Sequence, residues 1–220
     1  LHARDEAGSL TADLSCFNRT LEALRASSEI LIEASTGGLS ALTPAERALP
    51  VGNPHVDLAS LNMGSLNFGD QVYCNPLPDI RFWIRTMADA GVKPTLEVFE
   101  IGHLDTTLRL IDQGLQEPSC NFSFVFNVAW GMQYDDRLLA LLISKVPSGS
   151  HWGAVFVESE DFTGHLEAAV SHRFGARLDL RRASGGSPDE RRLAAYVRER
   201  MQARFVPKAG CRMWKSSASW

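Results

Sequence analysis

Short β-branched or aliphatic runs alternate with amphipathic stretches from residue 1 to about residue 158, and this alternation limits the fold more than any other feature of the chain. "EILIEAST", "HVDLASLN", "KPTLEVFEIGH", "NFSFVFNV" and "HWGAVFVES" read as strands, with "VYCN" a further fragment. Between them, "TADLSCFNRTLEALRASS" sets Leu14, Phe17, Leu21 and Leu24 at helical spacing behind Thr11 or Asp13 as N-cap. "LTPAERALP" carries a capping box, with Thr43 as cap, Pro44 at the first helical position and Glu46 three residues on. "PDIRFWIRTMADAG" is a helix closed by Gly91, and "HLDTTLRLIDQGL" and "DDRLLALLISKVP" are two more. The opening residues, Leu1 to Asp5, alternate apolar and polar before the turn at Glu6, Ala7 and Gly8, as the end of a strand does.

Such alternation predicts an α/β fold with a parallel sheet under helices, a signature that a (β/α)8 TIM barrel shares with an open doubly wound sheet. The placement of polar residues favours the barrel. "HARD", "STGG", "SLNMGS", "EIGH" and "NVAWG" all fall at strand C-termini, which a barrel gathers at one mouth. At 220 residues the chain is short of the roughly 250 of a complete barrel, so the expectation is an incomplete one. Residues 1–157 form its catalytic domain on this reading, and 158–220 a divergent Arg-rich segment with a helix around 189–205 and a frayed tail. No clear strand is visible after about residue 158.

Composition removes several function classes. Net charge is -4, which gives no electrostatic case for nucleic acid or an anionic membrane. No run approaches the roughly 18 apolar residues of a membrane span, and the four cysteines, Cys16, Cys74, Cys120 and Cys211, stand singly. A cytoplasmic protein with reduced thiols is expected. Within the strands, Glu97 is a carboxylate in an apolar run, where burial is costly without a partner. It reads as a site residue or as half of a buried ion pair. "STGG", Ser35, Thr36, Gly37 and Gly38, is either an anion-approaching loop or a plain strand-to-helix turn. His103 reads as a cap or packing residue.

"LHARD", "STGG", "LTPAERALPV", "ASLNMGSLNFGD", "KPTLEVFEIGHL" and "GLQEPSCNFSFVFNV" together resemble the β-keto acid cleavage enzymes, the group typified by 3-keto-5-aminohexanoate cleavage enzyme. The resemblance implies a zinc-dependent barrel, usually a homotetramer. It implies condensation of a β-keto acid with acetyl-CoA to acetoacetate and a new acyl-CoA, by a retro-Claisen route. His2 matches the second His of the family's H-x-H zinc pair, whose first member would precede Leu1, implying an N-terminally truncated chain. Thr36 and Ser60 match positions whose hydroxyls bind the substrate carboxylate, with Ser35, Gly37, Gly38 and Asn62 beside them. Glu97 matches an active-site Glu that supports substrate or metal.

The resemblance stops in the last third. The family's late segment, with an Arg, the third zinc ligand and a catalytic Asp, has no match in "RFGARLDLRRASGGSPDE", where Asp179, Asp189 and Glu190 lack the family's context. Two readings follow: a zinc-dependent acyl-transferring enzyme, or an inactive family remnant. Another metal-dependent carbon–carbon lyase on the same barrel is a third.

Overall fold

The computed structural model describes residues 1–157 except Ser40, together with the backbone of residues 177–178. These all belong to one compact unit, Leu1–Arg181. The helix expected around 189–205 and the Arg-rich tail lie outside the described residues.

Helix α1 (Ser15–Ser27) buries Phe17 and Leu21, four residues apart on one face. The expected N-cap needs correction: the cap position is Leu14, which makes no side-chain cap bond, while Asp13 just before it accepts at Oδ1 from the Ser15 N–H at 2.9 Å and the Ser15 hydroxyl at 2.6 Å. Helix α2 (Pro44–Ala48) opens with the expected capping box. In it the Thr43 hydroxyl accepts from the Glu46 N–H, and the Glu46 carboxylate accepts from the Thr43 N–H at 2.8 Å. Helix α3 (Leu77–Asp89) follows Pro76, buries Ile80, Trp83, Ile84 and Met87, and gives way to Gly91 at φ +67°. Helix α4 spans Ile101–Asp112. Helix α5 (Asp136–Lys145) begins at Asp135, whose carboxylate accepts from the N–H groups of Arg137 and Leu138.

The strands are β1 (Glu33–Ser35), β2 (Leu58–Asn62), β3 (Leu66–Phe68), β4 (Gln71–Tyr73), β5 (Lys93–Val98), β6 (Asn121–Phe126), β7 (His151–Phe156) and β8 (Arg177–Leu178). Six of them form one parallel sheet in the order β1-β2-β5-β6-β7-β8. That order never reverses, so the sheet has no switch point. The doubly wound alternative is thereby removed. Successive right-handed crossovers in one direction put every helix on one face, and the sheet is an arc of a (β/α)8 barrel that its six strands do not close. Two expectations need correction. "VYCN" holds β4, which is no member of this sheet but the second arm of an antiparallel hairpin with β3. And β8, a strand beyond residue 158, is present as a two-residue pairing with β7, too short for periodicity to reveal.

In-register residues of parallel strands share a face, so the pairing sorts the sheet into two surfaces. Ala59, Leu61, Leu96, Val98, Phe122, Phe124, Trp152, Ala154 and Phe156 point to the helices and form the core with Leu21, Ile80, Trp83, Leu104 and Leu142. Each large apolar side chain buried there contributes about 1.5–3 kcal/mol. The opposite, concave face carries Ser35, Ser60, Asn62, Thr95, Glu97, Asn121 and Ser123. A core sheet with one polar face is a scaffold with a site on it.

The first residues extend this face. The Leu1 amino group donates to Glu33 O at 2.6 Å and Ser35 N donates to Leu1 O at 2.7 Å, the bonding of a parallel ladder with Leu1 beside Ala34. His2 therefore lies beside Ser35, and on its face. The strand-like opening is real in that sense. Beyond it, Arg4 donates to Gly8 O and Asp5 accepts from Ser9 N at 2.8 Å, so both tie down the turn.

Candidate active site

The tips of β1 and β2 are bound to each other through side chains. The Thr36 hydroxyl donates to Ser60 O at 2.6 Å, Thr36 N donates to Ser60 Oγ at 3.2 Å, and Ser60 Oγ lies 3.4 Å from Ser35 Oγ. Gly37 N donates to Ser35 Oγ at 3.1 Å and Gly38 N to Tyr73 Oη at 3.0 Å. "STGG" thus joins two strands and the hairpin. Its glycine N–H groups are engaged within the protein. Glycine is required at both positions: a Cβ on Gly37 would stand 2.2 Å from Tyr73 Oη and 3.0 Å from Asn62 Nδ2, and Gly38 has φ +133°.

Asn62 and Glu97 face each other across the β2–β5 pair, and Ser123 follows in the same row on β6. Asn62 is wholly buried, and neither its amide oxygen nor its amide nitrogen has a hydrogen-bond partner. Glu97 is buried as well. One row deeper, Thr95 stands beside Ser60; it is buried with its hydroxyl unpartnered. At the rim after β5, burial pushes the Glu100 carboxyl above its ordinary value. The sequence-predicted residues Ser35, Thr36, Gly37, Gly38, Ser60, Asn62 and Glu97 are therefore gathered at one end of one face, with His2 beside Ser35. His2 and Glu97 are three strand spacings apart, about 14 Å along the sheet.

Sequence reading missed Arg47, the residue that holds this tip from below. Its Nε donates to Thr36 O at 2.8 Å, Nη1 to Cys74 O at 3.0 Å and Nη2 to Asn75 Oδ1 at 2.6 Å. The guanidinium lies 4.2 Å from the Trp83 ring centre and 5.7 Å from that of Tyr73, in cation–π range. Desolvation draws its pKa down from the usual arginine value, with Tyr73 and Asp79 opposing. Arg47 also lines a cleft of about 480 Å³ between the loop after Gly38 and the hairpin, whose walls include Leu42, Gln71, Tyr73 and Asp79. Its one sequence signal was position: an Arg on the first helix after the glycine loop. Thr95 had a plainer one, since alternation along β5 puts it on the face of Glu97.

His103 is a packing residue. Its Nδ1 accepts from Phe99 N at 3.3 Å and its Nε2 lies 3.3 Å from Ser65 O, so both ring nitrogens are occupied. Burial holds its pKa below the ordinary value. A zinc ion in an open catalytic site takes three protein donors. Among the described residues no three His, Cys, Asp or Glu side chains converge on a point. His2 offers one imidazole on the correct face, but the described donors do not fit the ion by themselves, and no chemical step is assigned to it. Cys16 and Cys74 are exposed and Cys120 is buried, each a free thiol. No helix among the described residues is long and apolar enough to cross a membrane.

Comparison with known proteins bears on the family and the fold. The chain is 33% identical over 164 residues to the 3-keto-5-aminohexanoate cleavage enzyme of Fusobacterium nucleatum, a match covering 74% of this chain and 59% of that protein. It is 34% identical over 152 residues to the enzyme of the same name from Acetoanaerobium sticklandii, covering 68% of this chain and 55% of the relative. The chain thus spans between half and three-fifths of the length of these curated relatives. Among solved structures, the apo structure of ObcA superposes with a TM-score of 0.67 at 14% identity, over 90% of this chain and 53% of that one, which supports the fold. The sequence model of the beta-keto acid cleavage enzyme family matches residues 1–174, and with the polar strand tips assembled on one concave face, the chain belongs to that family.

Proposed function

We propose that this chain binds a β-keto acid on the concave face and exchanges its acyl group with acetyl-CoA. The observation that carries the reading is the assembly of Ser35, Ser60, Asn62 and Glu97, from three strands, on the polar face of an otherwise apolar sheet. In the balanced reaction the keto acid's C2–C3 bond breaks and C2 bonds to the acetyl carbonyl carbon. The displaced CoA thiolate takes the remaining acyl group, giving acetoacetate and a new acyl-CoA. The proton lost from C2 is returned to it. Negative charge develops on the ketone oxygen as the enolate forms, so donors held rigidly around that oxygen lower the barrier.

In this proposal the Ser60 and Ser35 hydroxyls orient the carboxylate; Thr36, whose hydroxyl and N–H are both spent on Ser60 and so do not reach the carboxylate as the resemblance implied, positions Ser60, and Glu97 supports the reacting carbons from β5. Acetyl-CoA is the second substrate. The zinc ion implied by the resemblance, with His2 as one donor, remains an expectation of the family resemblance; no step is routed through it. A homotetramer and a cytoplasmic location belong to the same reading. Its test is acetoacetate release from acetyl-CoA and a panel of β-keto acids, with zinc measured on the purified chain. Appearance of acetoacetate with a matching new acyl-CoA supports it. A second reading, binding without turnover, is favoured by the lack of a three-donor metal set among the described residues. Substrate binding with no acetoacetate formed would select it.

A further inference from the structure

The proposed site is sealed as the chain stands. Ser60 is 1% exposed, Asn62 0% and Glu97 7%, and the cavity beside Ser35, Thr36 and Gly37 has a volume of about 20 Å³, room for one water and not for a keto acid. Part of the covering is the β3–β4 hairpin. Val125 and Val155 pair with each other two residues beyond Ser123 and Gly153, so they form the next row outward on the concave face. Leu66 and Tyr73 of the hairpin pack on them, with Phe99 and Val128. The Tyr73 ring stands edge-on to Phe99 at 6.1 Å between ring centres, and its hydroxyl accepts from Gly38 N at 3.0 Å. A Cβ on Gly37 would meet that hydroxyl at 2.2 Å, Asn62 Nδ2 at 3.0 Å and Ser35 Oγ at 3.5 Å, so the phenol tip stands at the edge of the proposed carboxylate site.

The hairpin is held unevenly along its length. Its base is pinned: Asn75 N donates to Ser65 Oγ at 2.7 Å, Asn75 Nδ2 donates to Gly64 O at 3.2 Å, and Arg47 donates to Cys74 O and Asn75 Oδ1. Its arms are three residues each, and a two-stranded ribbon of that size is not stable by itself. Asn67, Asp70, Gln71 and Val72 face solvent, while the arms close onto the sheet through Leu66, Tyr73 and a bond from Gly69 N to Ala129 O at 3.3 Å. Lifting them exposes two apolar side chains and breaks few bonds, so the open form is a minor but reachable population. A fixed base, lightly held arms and a sealed polar face beneath are the parts of a hinged cover. Resting on the keto-acid reading above, we infer that the β3–β4 hairpin is a lid that lifts on its pinned base to admit the keto acid, with Tyr73 the latch that holds it shut against Gly38. Closing it over bound substrate keeps water from the developing enolate.

The experiment is amide hydrogen exchange of the full chain, read by mass spectrometry on peptides from the hairpin and from β5, with and without acetoacetate, beside isothermal titration with the same acid. In the free chain the hairpin amides should exchange about 100-fold faster than those of β5, because the lid opens locally while the sheet does not. Tyr73→Phe keeps the ring and loses the latch, and should speed hairpin exchange about fivefold with β5 unchanged. Saturating acetoacetate should slow the hairpin about tenfold, since it holds the lid closed. A Tyr73→Phe effect spread equally over β5 would mark a general loss of stability and overturn the latch. Acetoacetate binding to a chain whose hairpin exchanges no faster than β5, or whose hairpin the bound acid does not slow, overturns the lid and leaves the keto-acid reading intact. Absence of acetoacetate binding overturns the keto-acid reading and this inference together.

Discussion

Arg47→Met should be the most damaging single change among residues near the site that are not themselves proposed to touch substrate. The substitution keeps an unbranched stem against Trp83 but removes three donors, to Thr36 O, Cys74 O and Asn75 Oδ1. Hydrogen bonds to a charged group contribute about 1.5–3 kcal/mol when buried, and the only partly buried position of this side chain puts each nearer 1 kcal/mol. Losing the guanidinium over the Trp83 ring at 4.2 Å removes about 0.5–1 kcal/mol more. The sum is about 3–4 kcal/mol, a large part of the 5–15 kcal/mol typical of a folded domain. With a urea slope of about 2 kcal/mol/M, the unfolding midpoint should fall by roughly 1.5–2 M. Arg47→Lys keeps the charge but cannot reach three acceptors from one nitrogen, and should lose about half as much. Equilibrium urea unfolding, followed by far-UV circular dichroism, measures both. A midpoint shift under 0.5 M, about 1 kcal/mol, for Arg47→Met would refute the claim that this guanidinium holds the strand tip to the hairpin.

Gly37→Ala should force Tyr73 from its place, because the new Cβ would lie 2.2 Å from the Tyr73 hydroxyl; a loss of about 1–3 kcal/mol is expected, and adding Tyr73→Phe should recover part of it in a double-mutant cycle. Gly64→Ala should destabilise by a similar amount in urea unfolding, since its Cβ would stand 2.3 Å from the His103 ring. Burial depresses the folded-state pKa of His103, so its contribution is intact above the unfolded value of about 6.5 and lost as pH falls through the depressed folded value. Unfolding midpoints compared at pH 7.5 and pH 5.5 should drop less in His103→Gln than in the parent chain.

The fold was legible where the pattern was long. Five strands and three helices lie inside segments recognisable from apolar spacing and caps, because burial on one face imposes that spacing directly; α3 begins one residue before its segment and α4 two before, within the stretch read as strand. The hairpin was not, since "LNF" and "QVY" are three-residue strands whose pairing across Gly69 and Asp70 carries no periodicity. Glu97 and Ser60 were legible for a physical reason: polar side chains in buried strands demand an explanation. Arg47 was not, because its partners lie 11, 27 and 28 residues away, and only the folded chain brings their acceptors to one fork. Thr95 fell between: its face followed from alternation with Leu96, but its unmet hydroxyl depends on what stands opposite.

The central claim is that the polar face between β1 and β5 is where a β-keto acid sits. A crystal structure of the chain soaked with acetoacetate tests it most directly. The account predicts the carboxylate against Ser35 and Ser60 with the carbon chain reaching Asn62 and Glu97. Acetoacetate bound in the cleft beside Arg47 and Asp79, with the concave face empty, would contradict it.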